Sequence, residues 1–219
     1  MQFKTFFSFR SFYFLLLFIF LDLIVLALHL LLGYRTDFFN LDIENNLPTY
    51  YQSIKLLIVG FFLFVVFFKG RLIFLIPLAI LLLYLGIDEI VQIHENFSSV
   101  IKNHFPSVAF TIENWIMALG YQSSRWVIYL APFLLITLGY IFFTGLYAKL
   151  KKYDSFPSLA AGSILFLLVI VFEVINSWKG HSWFTYQILM TFEESFEMFG
   201  ASSFAYAGYL EYLKYQRGE

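Results

Sequence analysis

The run FYFLLLFIFLDLIVLALHLLLG occupies residues 12–33 and contains a single carboxylate, Asp22, and a single imidazole, His29. An apolar run of this length crosses the ~30 Å hydrocarbon core of a bilayer as an α-helix. It is too long for the apolar region of a signal peptide, and no small-x-small cleavage site follows it, so we expect a retained first span. An ionisable group at membrane depth is unfavourable and usually faces a partner, a water-filled cavity or a metal. Asp22 therefore already indicates a polar interior.

The composition extends this reading to the whole chain. Its 219 residues are 60% hydrophobic and only 13% charged, and the mean hydropathy is +0.76. A soluble domain of this length needs more charge to cover its surface. The absence of Cys excludes thiolate nucleophiles, iron–sulfur clusters and disulfides, and a net charge of −1 gives no sign of a nucleic-acid partner. We expect an integral membrane protein in contact with membrane lipids.

Further apolar runs, basic clusters and turn-rich segments predict the topology. Basic residues gather at the N-terminus, at 69–71, at 149–152 and near the C-terminus, which the positive-inside rule places in the cytoplasm. The prediction is an all-α polytopic protein of the bacterial cytoplasmic membrane, a single transmembrane domain over 1–219 with both termini inside. Its six spans are 12–33, 51–69, 71–95, 126–148, 158–178 and 184–213, and an interfacial helix is expected at 110–119.

Polar residues divide these spans into two kinds. Spans two and four are almost purely apolar between their ends, and we interpret Lys55 and Arg125 as side chains that snorkel to the outer boundary. Spans one, three, five and six carry the acids. The pattern therefore predicts a polar four-helix core made of spans one, three, five and six, with spans two and four on the lipid side.

Eight carboxylates lie within or at the ends of the predicted spans: Asp22, Asp88, Glu89, Glu95, Glu173, Glu193, Glu194 and Glu197. A helical rise of about 1.5 Å per residue places five of them at one depth in the outer half of the bilayer, level with His29: Asp88, Glu89, Glu173, Glu193 and Glu194. Glu197 and Asp22 are expected below this layer, and Glu95 above it. With almost no basic residue beside them, the eight carboxylates cannot all be ionised and unpaired. Bound cations, bound protons or both must neutralise them.

Carboxylates that converge with a histidine in a helix bundle are typical of metal centres. The predicted metal ligands are Asp88, Glu89, Glu173, Glu193, Glu194 and His29. Glu197 or Glu95 is the predicted general base, and Asp22, Gln92, His94 and His181 are accessory residues. Oxygen donors with an imidazole favour a divalent cofactor, Fe, Mn or Zn, although the literal Glu-x-x-His pair is missing and the alternative of no metal stays open.

Two short motifs resemble a known family. Asp88-Glu89 with His94-Glu95, together with Glu193-Glu194-Ser-Phe-Glu197-Met198, is similar to the pattern of an uncharacterised bacterial family of six-span membrane proteins. The resemblance covers about a tenth of the chain. It implies the six-span topology and carries no activity.

Three functions remain open on the sequence. The first is a membrane-embedded metal-dependent hydrolase or oxidoreductase that acts on a lipid or another hydrophobic substrate. The second is a proton- or cation-coupled transporter or channel, against which the inner half of the predicted core lacks a continuing polar path. The third is a structural or accessory membrane subunit that uses the acids to bind a partner helix, with the small residues of segment 200–208 allowing the helices to pack closely. A homo-oligomer or a partner subunit is compatible with this interpretation.

Overall fold

The structure, a computed structural model, describes residues 9–121 and 153–217, so the predicted fourth span at 126–148 lies outside the described residues. The regular elements of the described part are helical, without a strand, as the composition predicts. The α-helices are α1 (Phe9–Leu28), α2 (Leu47–Lys69), α3 (Ile76–Val91), α4 (Ile93–His104), α5 (Pro106–Ala118), α6 (Phe156–Asn176) and α7 (Trp183–Gln216). A π-helical turn, His29–Gly33, extends α1, and 3-10 turns occupy Asp37–Phe39 and Ile73–Leu75.

Three stretches among the described residues are long and apolar enough to cross a membrane: Phe12–Gly33, Leu47–Lys69 and Phe156–Asn176. These correspond to predicted spans one, two and five. Helix α7 is longer, with 34 residues, but it carries four glutamates. The predicted third span at 71–95 is interrupted, because α3 has only 16 residues and ends where Gln92 adopts a left-handed backbone, φ 58° and ψ 42°. The predicted interfacial segment 110–119 lies mostly within α5, and its position at a membrane surface stays a prediction.

Helix α2 corrects the predicted arrangement of the core. It was expected on the lipid side, but it packs against both α3 and α7, and half of its apolar window is buried, against 17% for the first span and 11% for α6. Its buried face carries Gln52, Ser53 and Lys55 beside apolar residues such as Leu56 and Leu63. The polar interior of the described bundle therefore includes the second span. The polar residues of α2 are buried because they share one face of the helix, the face that packs against α3 and α7.

Two glycines allow α2 and α3 to approach closely. A Cβ on Gly60 would lie 2.9 Å from the backbone nitrogen of Leu83, and one on Gly86 would lie 3.0 Å from the carbonyl oxygen of Ser53. The Ser53 hydroxyl donates a 2.6 Å hydrogen bond to the Gly86 carbonyl. Small residues at such crossings let backbones meet, and packing and hydrogen bonds then hold the helices together inside a membrane.

Candidate functional site

One end of the bundle collects the ionisable groups, and we call it the acidic end. The C-terminal ends of α1, α3 and α6 meet there with the N-terminal ends of α2 and α7. Three contacts fix this layout: His29 with Thr191, Ser53 with Gly86, and Glu173 with Glu193. The acids of α3 and α6 lie in the last turn of each helix, and Glu193, Glu194 and Glu197 lie about three to four turns from the N-terminus of α7.

The carboxylate cluster of the acidic end comprises Asp88, Glu89, Glu173, Glu193, Glu194 and Glu197. Glu89 of α3 interacts electrostatically with Glu197 and Glu194 of α7, and with Asp88. Glu194 interacts in turn with Glu197 and with Glu173 of α6. Three helices thus place their acids together, as their predicted depths and faces indicated.

Within the cluster, Glu173 and Glu193 are joined by a hydrogen bond between their side chains. Two carboxyl groups approach this closely only when a proton or a cation lies between them, because two ionised carboxylates repel each other and neither has a hydrogen to donate. The pair therefore marks a point where a shared proton or a bound cation would stabilise the cluster.

The loop between α1 and α2 adds two acids that the sequence reasoning left out. Glu44 interacts electrostatically with Glu89 and Glu194, and Asp42 with Glu194. The Tyr186 hydroxyl donates a 2.5 Å hydrogen bond to Asp42, which ties the loop to the first turn of α7. The segment is mixed in charge and rich in turn residues, so it was read only as a connection between spans. Its acids gave no periodic signal.

His29 holds this loop against the helix end. Its Nδ1 accepts a 3.1 Å hydrogen bond from the Leu41 backbone N–H, and its Nε2 lies 3.5 Å from the Thr191 hydroxyl. Gly33 makes the approach feasible, because a Cβ there would lie 2.6 Å from Nδ1 and 3.0 Å from the carbonyl oxygen of Phe39. A neutral imidazole that accepts at Nδ1 carries its hydrogen on Nε2. As a metal ligand His29 stays a prediction, and these hydrogen bonds do not favour it.

A second polar group, the Asp22 network, lies next to the cluster toward the middle of the bundle. Asp22 is fully buried, and its Oδ1 accepts from the Lys55 ammonium at 2.5 Å and from the Tyr51 hydroxyl at 2.6 Å. Its Oδ2 accepts from the Ser202 hydroxyl at 2.6 Å. The same ammonium donates to the Met198 carbonyl at 2.6 Å, so α1, α2 and α7 meet at this point.

The position of Lys55 corrects the prediction that its side chain snorkels to the outer boundary. Lys55 is only 4% exposed. It lies near the start of a helix that begins at Leu47, which from sequence alone looks close enough to the interface to reach water. The opposite charge that holds it inside is Asp22, distant in sequence and on another helix. Asp22 therefore has a basic partner, and it is not part of the carboxylate cluster.

The opposite end of α7 carries a buried acid of its own. Glu211 is 7% exposed and accepts a 2.5 Å hydrogen bond from the hydroxyl of Ser155, which is 1% exposed. The sequence reasoning missed Glu211 because it lies near the basic C-terminal segment, where a charged residue is normally solvated. It shows that buried polar groups continue beyond the acidic end.

The remaining predicted accessory residues lie at the rim. Gln92 forms the left-handed junction between α3 and α4, with its backbone N–H donating to the Asp88 carbonyl. His181 precedes α7, with its Nε2 2.8 Å from the Ile175 carbonyl oxygen. The side chains of His94 and Glu95 lie outside the described ones, so Glu95 as general base stays a prediction. Glu197, the other candidate base, interacts with Glu89 and also with Lys55.

The described residues contain no group of three or more Asp, Glu or His side chains already arranged around a common metal position. Three side-chain amides nevertheless have buried polar atoms without a hydrogen-bond partner among the described residues: both polar atoms of Gln52, the Oε1 of Gln187 and the Oδ1 of Asn176. Gln187 lies two helical turns before Glu194, and therefore on the same stripe of α7. Gln52 lies one turn from Lys55 toward the acidic end. Buried polar atoms are normally satisfied, so an unpartnered amide beside the acids fits a bound ion or water.

No curated protein matches this chain, and no solved structure does either. A family model of unknown function matches residues 12–210, which include every helix that forms the site. The chain belongs to the family described as a domain of unknown function, DUF8692.

Proposed function

We propose that this chain is a membrane-embedded, metal-dependent enzyme that acts on a lipid or another hydrophobic substrate. The proposal includes six spans, cytoplasmic termini in a bacterial cytoplasmic membrane, and an acidic end in the outer half of the bilayer. One observation carries it: acids from α3, α6 and α7 are close enough to interact electrostatically, and one pair of them is joined by a hydrogen bond.

The donor set fits a hard or borderline divalent metal. Glu89 and Glu194 would form the centre of the metal site, the Glu173–Glu193 pair would form its edge, and Glu197 would lie beside them as the candidate base. Carboxylate and amide oxygens suit Mn, Fe, Mg or Ca, and the unpartnered Oε1 of Gln187 is a further oxygen donor. A bound metal would supply a Lewis acid or, for Fe or Mn, a redox centre.

The surroundings of the acids favour a hydrophobic substrate. The residues next to the acids are apolar and exposed at the bundle surface: Ile87 and Val91 on α3, Val171 on α6, and Phe192 on α7. Inside a bilayer this surface contacts acyl chains. A lipid-soluble substrate would therefore reach the carboxylates laterally, without first crossing water.

The test is metal content, measured by mass spectrometry on protein purified in mild detergent without chelator. We expect near-stoichiometric Mn, Fe or Zn in the wild type and loss of that metal in Glu194→Gln. Glu211→Gln is the matched control, because it removes a buried glutamate from the same helix at the opposite end. Wild-type protein that stays metal-free after incubation with each of these ions would contradict the proposal. A metal-loaded protein should then be screened against lipid extracts for a product that Glu194→Gln does not form.

A second candidate, a proton- or cation-coupled transporter, is favoured by the buried groups beyond the cluster. The Asp22 network and the Glu211–Ser155 pair supply polar groups where the sequence reasoning found none. Flux into liposomes separates the two candidates. A transporter should lose flux in Glu211→Gln, whereas the enzyme should keep its metal and its activity in that variant.

The small residues of segment 200–208 do not favour the accessory-subunit interpretation, in which the acids bind a partner helix. They pack inside this chain, where a Cβ on Gly200 would lie 2.7 Å from the Phe166 ring and one on Gly208 would overlap the Leu63 side chain. A partner helix therefore does not need this stripe. A partner subunit or a homo-oligomer stays a prediction.

A further inference from the structure

Lys55 stands out in the interior because its charge is held beside the carboxylate cluster without being part of it. Its ammonium uses two of its three hydrogens on Asp22 and the Met198 carbonyl, and the Tyr51 ring lies 5.4 Å away. Tyr51 and Ser202 also donate to Asp22, so both partners of the ion pair are fixed. A buried charge held in this way keeps its position when the surroundings change.

Glu197 connects this ion pair to the cluster. It interacts electrostatically with Lys55 and also with Glu89, Glu193 and Glu194. The positive charge of Lys55 therefore acts on the carboxylates that would bind a cation. Asp22 accepts a hydrogen bond from the same ammonium and offsets part of that charge.

We propose that Lys55 is a built-in counter-cation that sets the affinity of the carboxylate cluster for a divalent metal ion, and that Asp22 controls its effect by holding it back from Glu197. This inference rests on the proposed function and adds a means of regulation to it. Like charges repel, so the Lys55 ammonium weakens the binding of a metal cation. Asp22 limits that weakening.

The proposal predicts opposite effects for the two members of one ion pair. Lys55→Met removes the competing charge and leaves Asp22 as an additional anion, so the dissociation constant for Mn²⁺ should fall about tenfold or more. Asp22→Asn frees the ammonium to pair with Glu197, so the dissociation constant should rise by about as much. A pair that serves only as a structural brace would show effects of the same sign, because either variant would loosen the same helices.

The experiment is a Mn²⁺ titration of the full chain in detergent, followed by the electron paramagnetic resonance signal of the free ion after chelator treatment and dialysis. Ser202→Ala is the matched control, since it removes one hydrogen bond to Asp22 and preserves both charges. Its affinity for Mn²⁺ should equal that of the wild type. Size-exclusion chromatography checks folding, and Lys55→Gln and Asp22→Ser replace any variant that does not fold.

The outcomes separate the inference from the function on which it rests. Tighter binding in the Lys55 variant with weaker binding in the Asp22 variant supports the counter-cation role. Shifts of the same sign, or no shift in either variant while the wild type binds Mn²⁺, overturn it and leave the proposed function standing. A wild type that binds no Mn²⁺, Fe²⁺ or Zn²⁺ refutes the proposed function itself.

Discussion

Adding one methyl group to the contact between α2 and α3 should destabilise the protein measurably. Gly60→Ala would place a Cβ 2.9 Å from both the backbone nitrogen and the Cγ of Leu83, and 3.1 Å from the Ala79 carbonyl oxygen. Gly86→Ala would place one 2.9 Å from the Leu57 Cγ and 3.0 Å from backbone atoms of Ser53 and Leu57. Because backbone atoms form part of each contact, a change of side-chain rotamer cannot relieve it.

The size of the effect follows from these distances. Ordinary van der Waals contact begins near 3.4 Å, so the helices must separate by about 0.5 Å. A gap of that size weakens the contacts between Leu56, Val59 and Leu82 and stretches the bond from Ser53 to the Gly86 carbonyl. Overpacking of this kind typically costs about 1–3 kcal/mol. We expect that loss in the free energy of unfolding for each single variant.

The double variant, Gly60→Ala with Gly86→Ala, gives a more specific test, because a single separation of α2 from α3 relieves both clashes. Its loss should be clearly smaller than the sum of the two single losses. The assay is unfolding in mild micelles by titration with sodium dodecyl sulfate, followed by circular dichroism. Asn103→Ala is the control, since Asn103 lies on α4, outside this contact, and its side chain is exposed. Single variants as stable as the wild type, or a fully additive double variant, would refute the reasoning.

Three further variants test other contacts by the same unfolding assay. Lys55→Met should lower the free energy of unfolding by about 3–5 kcal/mol, because it leaves the Asp22 charge buried and unpaired. Adding Asp22→Asn should recover most of that loss. A double variant no more stable than Lys55→Met alone would contradict this prediction. Asn46→Ala should lower the free energy of unfolding by about 1–2 kcal/mol, since Asn46 caps α2 by accepting a hydrogen bond from the Thr49 N–H. An unchanged unfolding midpoint would show that the cap is dispensable. Ser155→Ala should lower the free energy of unfolding by about 1–3 kcal/mol, because it removes the hydroxyl that donates to buried Glu211. An unfolding curve identical to that of the wild type would mean that another group replaces this donor.

The helical class and the meeting of the acids were accessible from the sequence because both depend on local patterns. Long apolar runs predict helices that are able to cross a membrane, and the constant rise per residue of an α-helix is enough to compare depths. The spacing of Glu194 and Glu197 on one face of α7 was similarly readable. The helical class and the depth of each acid are readable in this way because neither depends on which helices are neighbours.

The parts that the sequence did not disclose depend on contacts between distant segments. The partner of Lys55 belongs to a different helix, and no local rule separates a snorkelling lysine from one buried against an aspartate. The loop acids Asp42 and Glu44 turn toward the cluster because His29 holds the backbone at Leu41, which is a tertiary contact. The end of α3 at Gln92 has no neighbouring glycine or proline that would predict it.

The direction of the helices at the acidic end has a consequence for the stability of the whole fold. Asp88 and Glu89 lie in the last turn of α3, and Glu173 lies in the last turn of α6. A helix C-terminus carries partial negative charge from its free carbonyl groups, so acids there oppose the dipole, and a cation is favoured. Any cation bound by the cluster would therefore stabilise both helices along with the acids. Because a cation that binds only the folded state stabilises it by mass action, the melting temperature would rise with the concentration of the bound cation.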